Sequence, residues 1–174
     1  MDWSRAKNIL IIALVIANLM LGRSYLNKER EKQEQISTAT DYAIEYIENR
    51  GINISCAVPR ETEDLTVITL QFKPGENIGG LARTSFEGIP VEILGLSSAE
   101  YIEVIRKTDV VIETIPAYTA LLQSLEDIHS EIDDIELIYL VDHTEYSGAG
   151  QDTAFPYWKI SSGHSSYYYN AFLE

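Results

Sequence analysis

Histidine, cysteine and clustered carboxylates are the side chains of this sequence whose types and spacing could support chemistry. His129, His143 and His164 stand far apart, and no H-x-x-x-H or C-x-x-C spacing occurs, so a structural zinc site has nothing to stand on. A G-x-S-x-G elbow and a P-loop are both missing. Glu126, Asp127, Glu131, Asp133, Asp134 and Glu136 form an acidic cluster. It lacks the D-x-D-x-D-G order of a calcium loop and reads as a solvated helix end. Cys56 is the single cysteine and sits in an apolar alternation, which reads as core. Glu113 and Glu136 could pair as carboxylates, but so could many other pairs here. The expectation is a non-enzymatic chain with no metal and no cofactor.

The tyrosines are more informative. There are 11, and three are consecutive at Tyr167, Tyr168 and Tyr169. In a strand, Tyr167 and Tyr169 face one way and Tyr168 the other. Two uses fit: packing on a half-buried sheet, or a recognition surface offering large area with one hydrogen-bonding tip.

Charge and length bound the partners. The chain has 174 residues and a net charge of −14. Setting aside Arg5, Lys7, Arg23 and Asp2 leaves residues 27–174 with 10 basic against 26 acidic residues. Such a domain repels nucleic-acid phosphates and anionic lipid headgroups, which disfavours a nucleic-acid role. A hydrophobic fraction of 45 % supports a packed core, and one cysteine excludes an intrachain disulfide.

The elements that must position these residues begin with MDWSRAKNILIIALVIANLMLG. Ile9 to Leu21 is apolar except for Asn18. Alone it is short for a membrane span and would suit a signal-peptide core. Its flanks extend it: Trp3, Tyr25 and Leu26 add apolar surface, while Lys7 and Arg23 can snorkel. Trp3 to Leu26 as a helix is about 36 Å long, enough to cross. With no A-x-A-like pair after the run, an uncleaved signal anchor is expected over residues 1–26, ahead of a domain at 27–174. Positive charges lie on both flanks, so the positive-inside rule leaves orientation open. Ala13 and Ala17 are four apart, as are Asn18 and Gly22. Small residues admit a second helix and the Asn18 amide could bond to it; the alternative is an Asn satisfied by its own helix and facing lipid.

Beyond the charged stretch KEREKQEQ, Ile36, Ala39, Ala43, Tyr46 and Ile47 have helical spacing, and Gly51 suits a helix stop. Strands are expected at Ile52–Val58, Leu65–Phe72, Phe86–Leu94 and Ile135–Val141, with a turn at Lys73-Pro74-Gly75. Ser97 to Glu100 resembles a capping box opening a helix through Lys107. Pro116 suits the first turn of another helix, with Leu121, Leu122, Leu125 and Ile128 as its stripe. A Gly-rich loop at Glu145–Asp152 precedes a hairpin, Phe155–Phe172, turning at Ser162-Gly163-His164. The fold class is α+β, with small antiparallel sheets packed against helices. The order helix-strand-strand recurs from Ile36 and from Pro116, as two similar modules would.

The two ends together resemble one family. Asp2, Trp3, Ser4, Arg5, Lys7 and Ile9 match the MDWS-(R/K)-x-K-x-I opening of the YycI proteins of Gram-positive bacteria. Pro156, Trp158, Ile160, Tyr168, Asn170, Ala171 and Phe172 fit that family's closing pattern, and LIYLVD resembles the strand before it. The stretch from Ala82 to Ile115 looks abbreviated beside typical members. The resemblance implies a single-pass cell-membrane protein with a cytoplasmic N-terminus and an extracytoplasmic domain. It further implies a non-enzymatic regulator of a WalK/YycG-type sensor histidine kinase of cell-wall metabolism, working through membrane-helix contacts alongside a YycH-like partner. Ala13, Ala17, Asn18 and Gly22 are then the expected partner-binding residues. The other reading is an anchored module binding a cell-wall fragment or peptide on Tyr167–Tyr169.

Overall fold

Ile36, Thr40, Ala43 and Ile47 recur at helical spacing, and through them a long N-terminal helix is buried against the rest of the molecule. The computed structural model describes residues 3–74, 84–94, 100–142 and 151–172; the side chains of residues 3–13, 73, 74, 84, 100–105 and 142 also lie outside the description. Helix α1 runs unbroken from Trp3 to Glu48, 46 residues, or about 69 Å. Gly51 ends it with a φ of 84°, a conformation that glycine adopts without strain. Within the buried stripe the Thr40 hydroxyl donates to the Ile36 carbonyl at 2.8 Å, so its polarity is satisfied inside the helix. Tyr46, expected in the stripe, is instead 48 % exposed. Arg60 clamps the same half of α1, donating to Asp41 at 2.5 Å and to the Ser37 hydroxyl at 2.9 Å.

The remaining elements are β1 (Asp64–Pro74), β2 (Thr84–Phe86), β3 (Ile89–Leu94), β4 (Glu100–Glu113), α2 (Ala117–Gln123) with a 3-10 turn at Ser124–Glu126, β5 (Asp134–Asp142), β6 (Gln151–Ser162) and β7 (Ser165–Asn170). The strands form one sheet in the order β2-β3-β5-β6-β1-β4, with β7 added to β6. Strand β6 organises it. One edge pairs with β5; the other pairs with β1 over Gln151–Ala154 and then with β7 over Tyr157–Ser162. Pro156, which has no N–H to offer a ladder, falls at the junction of β1 and β7. Its carbonyl still accepts from the Ala171 N–H at 3.2 Å.

The sheet curls until its ends approach: Lys107 of β4 meets Glu87 of the β2–β3 turn at 3.1 Å, and the Tyr139 hydroxyl donates to the Thr66 carbonyl at 2.8 Å. Inside the curl lie Leu65, Ile68, Leu70, Phe72, Val91, Ile93, Tyr139, Val141 and Ala154. A second cluster joins Ile47 of α1 and Ala117, Ala120 and Leu121 of α2 to Ile135, Trp158 and Ile160 of the sheet. Leu137 packs against both clusters, so one core runs through the molecule.

Several sequence expectations are corrected. The strand expected over Ile52–Val58 is an irregular strap with one bridge, Ile54 to Ile132. Ser55 N–H bonds to Ile132 O and Ile132 N–H to Asn53 O, and Pro59 follows the segment. The single strand Phe86–Leu94 is a hairpin, because Glu87 and Gly88 both take positive φ (51° and 91°), as a two-residue type I′ turn demands. The helix expected through Lys107 is strand β4. The stretch is dense in Ile, Val and Thr, which lose χ1 freedom in a helix, and it pairs with β1 along its whole length. Ser97–Ala99, Gly75 and residues 145–150 lie outside the described residues. Leu122 of the α2 stripe is 39 % exposed. One continuous sheet replaces two modules, and it is not wholly antiparallel. β3 and β5 run parallel because the chain leaves β3, crosses through β4 and α2, and returns in the same direction. Strands at Leu65–Phe72 and Ile135–Val141, the helix after Pro116 and the terminal hairpin form as expected, Gly163 supplying the positive φ of its turn.

Because Ile47 is fully buried and Tyr46 is not, their truncations should separate. Ile47→Ala should lower unfolding free energy by about 3 kcal/mol and Tyr46→Ala by less than about 1 kcal/mol. Urea titration of the detergent-solubilised chain, followed by circular dichroism, measures both.

Candidate functional site

An apolar helix surface that touches nothing is the most unusual feature of the molecule. Every described α1 side chain from Leu14 to Lys32 is exposed. Leu14, Val15, Ile16, Leu19, Met20, Leu21, Tyr25 and Leu26 are each between 47 % and 69 % accessible. Exposed leucines are ordinary singly, but a contiguous sleeve of them marks a surface that works covered. Among the described residues no helix is long and apolar enough to cross a membrane. The apolar run Ile9–Leu21 reaches back over residues 9–13, whose side chains lie outside the description.

Helical phase separates the expected partner-binding residues. Asn18 and Ile36 are eighteen residues apart, about five turns, so Asn18 projects on the side by which α1 grips the domain. Gly22 follows one turn on, with open space where a Cβ would stand. Ala17 and Tyr42 are twenty-five residues apart, about seven turns, so Ala17 projects on the side of the exposed tyrosines. Asn18 is thus turned about 100° from Ala17 around α1. The side chain of Ala13 is outside the description.

The three tyrosines divide as strand alternation requires. Tyr167 and Tyr169 pack against the α2-side core. The Tyr169 hydroxyl donates to Asp127 at 2.9 Å; burial, then that carboxylate, push its pKa well above the ordinary tyrosine value. Tyr168 points to the other face, where its hydroxyl donates to Glu92 at 3.0 Å. There it joins a charged group that sequence reading passed over. Lys159, its side chain 9 % exposed, donates to Glu92 (13 % exposed), with Glu136 at 3.5 Å. The four residues come from the adjacent strands β3, β5, β6 and β7. Ile138, fully buried, is cross-strand from Tyr157 on this face, and Phe172 stacks on Phe155 at 5.6 Å. The single sequence signal was a lysine inside the alternating strand FPYWKI.

Chemically this group is a lock. Burial pulls the Lys159 ammonium down, but the hydrogen bond and charge of Glu92, then Glu136 and Tyr168, outweigh it and hold the pKa above the usual lysine value. Burial and the Glu92 bond likewise raise Tyr168. Both groups therefore keep their protons at neutral pH, and neither offers a base or nucleophile. The acidic cluster is also spent on structure. Asp133 accepts from the Gly163 N–H at 2.5 Å, Asp134 from the Ile135 N–H at 2.9 Å, and Glu131 from Asn53 at 2.8 Å. Glu113 and Glu136 are not brought together as a working pair: Glu113 accepts from Lys32 at 2.6 Å and Glu136 faces Lys159. Cys56 is half-buried against the core, and its thiol is pushed up by burial and by Asp134.

No protein-family model matches the chain, and no curated protein does. The outer-face lock makes its own prediction. Lys159→Met strands Glu92 and should cost about 3 kcal/mol, and adding Glu92→Leu should return most of it. Lys159 and Tyr168 bind their protons more tightly folded than unfolded. Their stabilisation is therefore full below about pH 10 and is lost as pH rises through the native values. Denaturant midpoints from pH 9 to 11 should fall more steeply for the wild type than for the double variant.

Proposed function

We propose that this chain is a membrane-anchored, non-enzymatic regulator, with α1 its anchor and the curled-sheet domain its extracytoplasmic part. The observation that carries the reading is the exposed apolar sleeve of α1, continuous with the helical turns gripped by the domain. In lipid that sleeve is matched to its surroundings, and a helix satisfies its own backbone. One unbroken helix couples any tilt or rotation of the domain to the membrane segment.

The likeness of both chain ends to YycI proteins supports a finer reading: control of a WalK/YycG-type sensor histidine kinase of cell-wall metabolism, in company with a YycH-like protein. In this reading the N-terminus is cytoplasmic. The domain biases the kinase through contacts between membrane helices, with Asn18 contributing an interhelical hydrogen bond. Measured bonds of this kind average about 0.6 kcal/mol, so several contacts must act together.

Asn18→Leu tests the reading. Leucine keeps the segment insertable and removes the amide. Kinase-dependent reporter output, at equal protein level, should shift by about threefold. Ile16→Ala, about 160° round the helix from Asn18, should shift it less. Unchanged output for Asn18→Leu would contradict an Asn18-mediated contact.

A further inference from the structure

A groove of about 770 Å³ runs between α1 and α2, lined chiefly by Ala39, Tyr42, Ala43, Tyr46, Tyr118 and Leu122. Tyr42 is 70 % exposed and Leu122 39 %. The groove exists because α1 has alanine at 39 and 43, which lets α2 sit close, while the tyrosines one turn apart stand up beside it. Burial of the α1 stripe does not need Tyr42 or Tyr46, which lie about 110° round the helix from it. Aromatic rings standing at the edge of a groove, each with a polar tip, are the anchors on which interface energy concentrates.

We infer that this groove receives an α-helix of a partner protein, one with an apolar stripe flanked by lysine or arginine. The inference rests on the anchored-regulator reading, because it uses the direction in which α1 leads. Three observations select this occupant. First, the α1 side of the groove and its continuation toward the exposed sleeve carry Glu31, Glu34 and Glu45. Among the described residues lining these two stretches there is no lysine or arginine. Arg50 stands at the far end, over the Tyr46 ring at 4.8 Å, and Arg30 reaches Glu34 from the adjoining face at 3.1 Å. Secondly, a second copy of this chain is a poor occupant, because it carries a net charge of −14 and would bring acid to acid. Thirdly, Ala17 is in phase with Tyr42, about seven turns away. A partner helix packed on the small Ala17 surface within a bilayer, where spanning segments must be helical, reaches the groove by following one side of α1. Asn18 lies on the domain side, so this contact is separate from any made by Asn18.

The test uses the full chain in phosphatidylcholine nanodiscs and a fluorescent synthetic helix of about five turns. That probe has leucine on one stripe and lysine on the flanks. Fluorescence anisotropy should show saturable binding. It should weaken at least about tenfold when the lysines become glutamate, and by a similar factor for Tyr42→Ala/Tyr46→Ala. Val110→Ala/Val111→Ala, exposed on β4, should bind as the wild type does. Three results would each overturn the inference: equal binding by the tyrosine variant, equal binding by a scrambled peptide of the same composition, or tyrosine-dependent self-association of the chain that excludes the probe. No kinase takes part, so failure here leaves the kinase reading standing. A silent Asn18→Leu reporter, conversely, leaves this result standing.

Discussion

Everything in this molecule hangs on the continuity of one helix. About three turns of α1 are held by Ile36, Thr40, Ala43 and Ile47, and the same helix continues for about 50 Å as a rod with no buried side chain among those described. Water tolerates scattered apolar side chains but not a sleeve of leucine, isoleucine and methionine, each burial of which is worth about 1.5–3 kcal/mol. The domain end is fixed by packing and the far end by its need for cover. The stretch between is stiff because its hydrogen-bonded ladder is unbroken and its charges pair along the helix, as Arg30 does with Glu34. A rod fixed at both ends transmits rotation, and rotation is what a helix contact in a membrane can read.

The domain is built to hold that grip. Ile47 enters the cluster shared by α2 and β6, and the Trp158 indole donates to the Ile115 carbonyl at 2.9 Å, tying the entry of α2 to the central strand. The curled sheet adds a second core under β1 and β3, and Leu137 connects the two. On the opposite face the Lys159–Glu92 pair is costly to bury, but once made it specifies which strands lie side by side, since slipping β3, β5 or β6 separates a charge from its partner. These are reasons for a rigid body at the end of the rod rather than a deformable one.

Local pattern was a good guide wherever local pattern decides. The period of Ile36, Ala43 and Ile47, the stop at Gly51, the apolar runs of β1 and β5 and the Gly163 turn all express short-range rules, and all form. What escaped sequence reading depends on partners far along the chain. Glu100–Lys107 carries a helix-like opening, yet β1 supplies a ladder that a capping box cannot match. Among the described residues, the Ile52–Val58 alternation pairs only through the bridge of Ile54 to Ile132. The parallel β3–β5 pair and the meeting of Glu92 with Lys159 arise from the crossover, which no window of ten residues contains. In the exposed apolar stretch of α1 the residue types were legible, but their sides were not. Only the buried stripe of α1 reveals that Asn18 turns toward the domain and Ala17 away from it.

The central claim is that α1 couples domain and sleeve in a fixed rotational relation. The most direct measurement inserts alanines between Lys28 and Glu29, in the exposed stretch, and, under the proposed kinase-regulator reading, follows kinase-dependent reporter output at equal protein level. Two alanines rotate the domain about 200° against the sleeve, and seven rotate it by about 20° less than two full turns. The account predicts that two alanines disrupt output and seven largely restore it. Equal output from both insertions and the wild type would contradict a rotationally fixed rod.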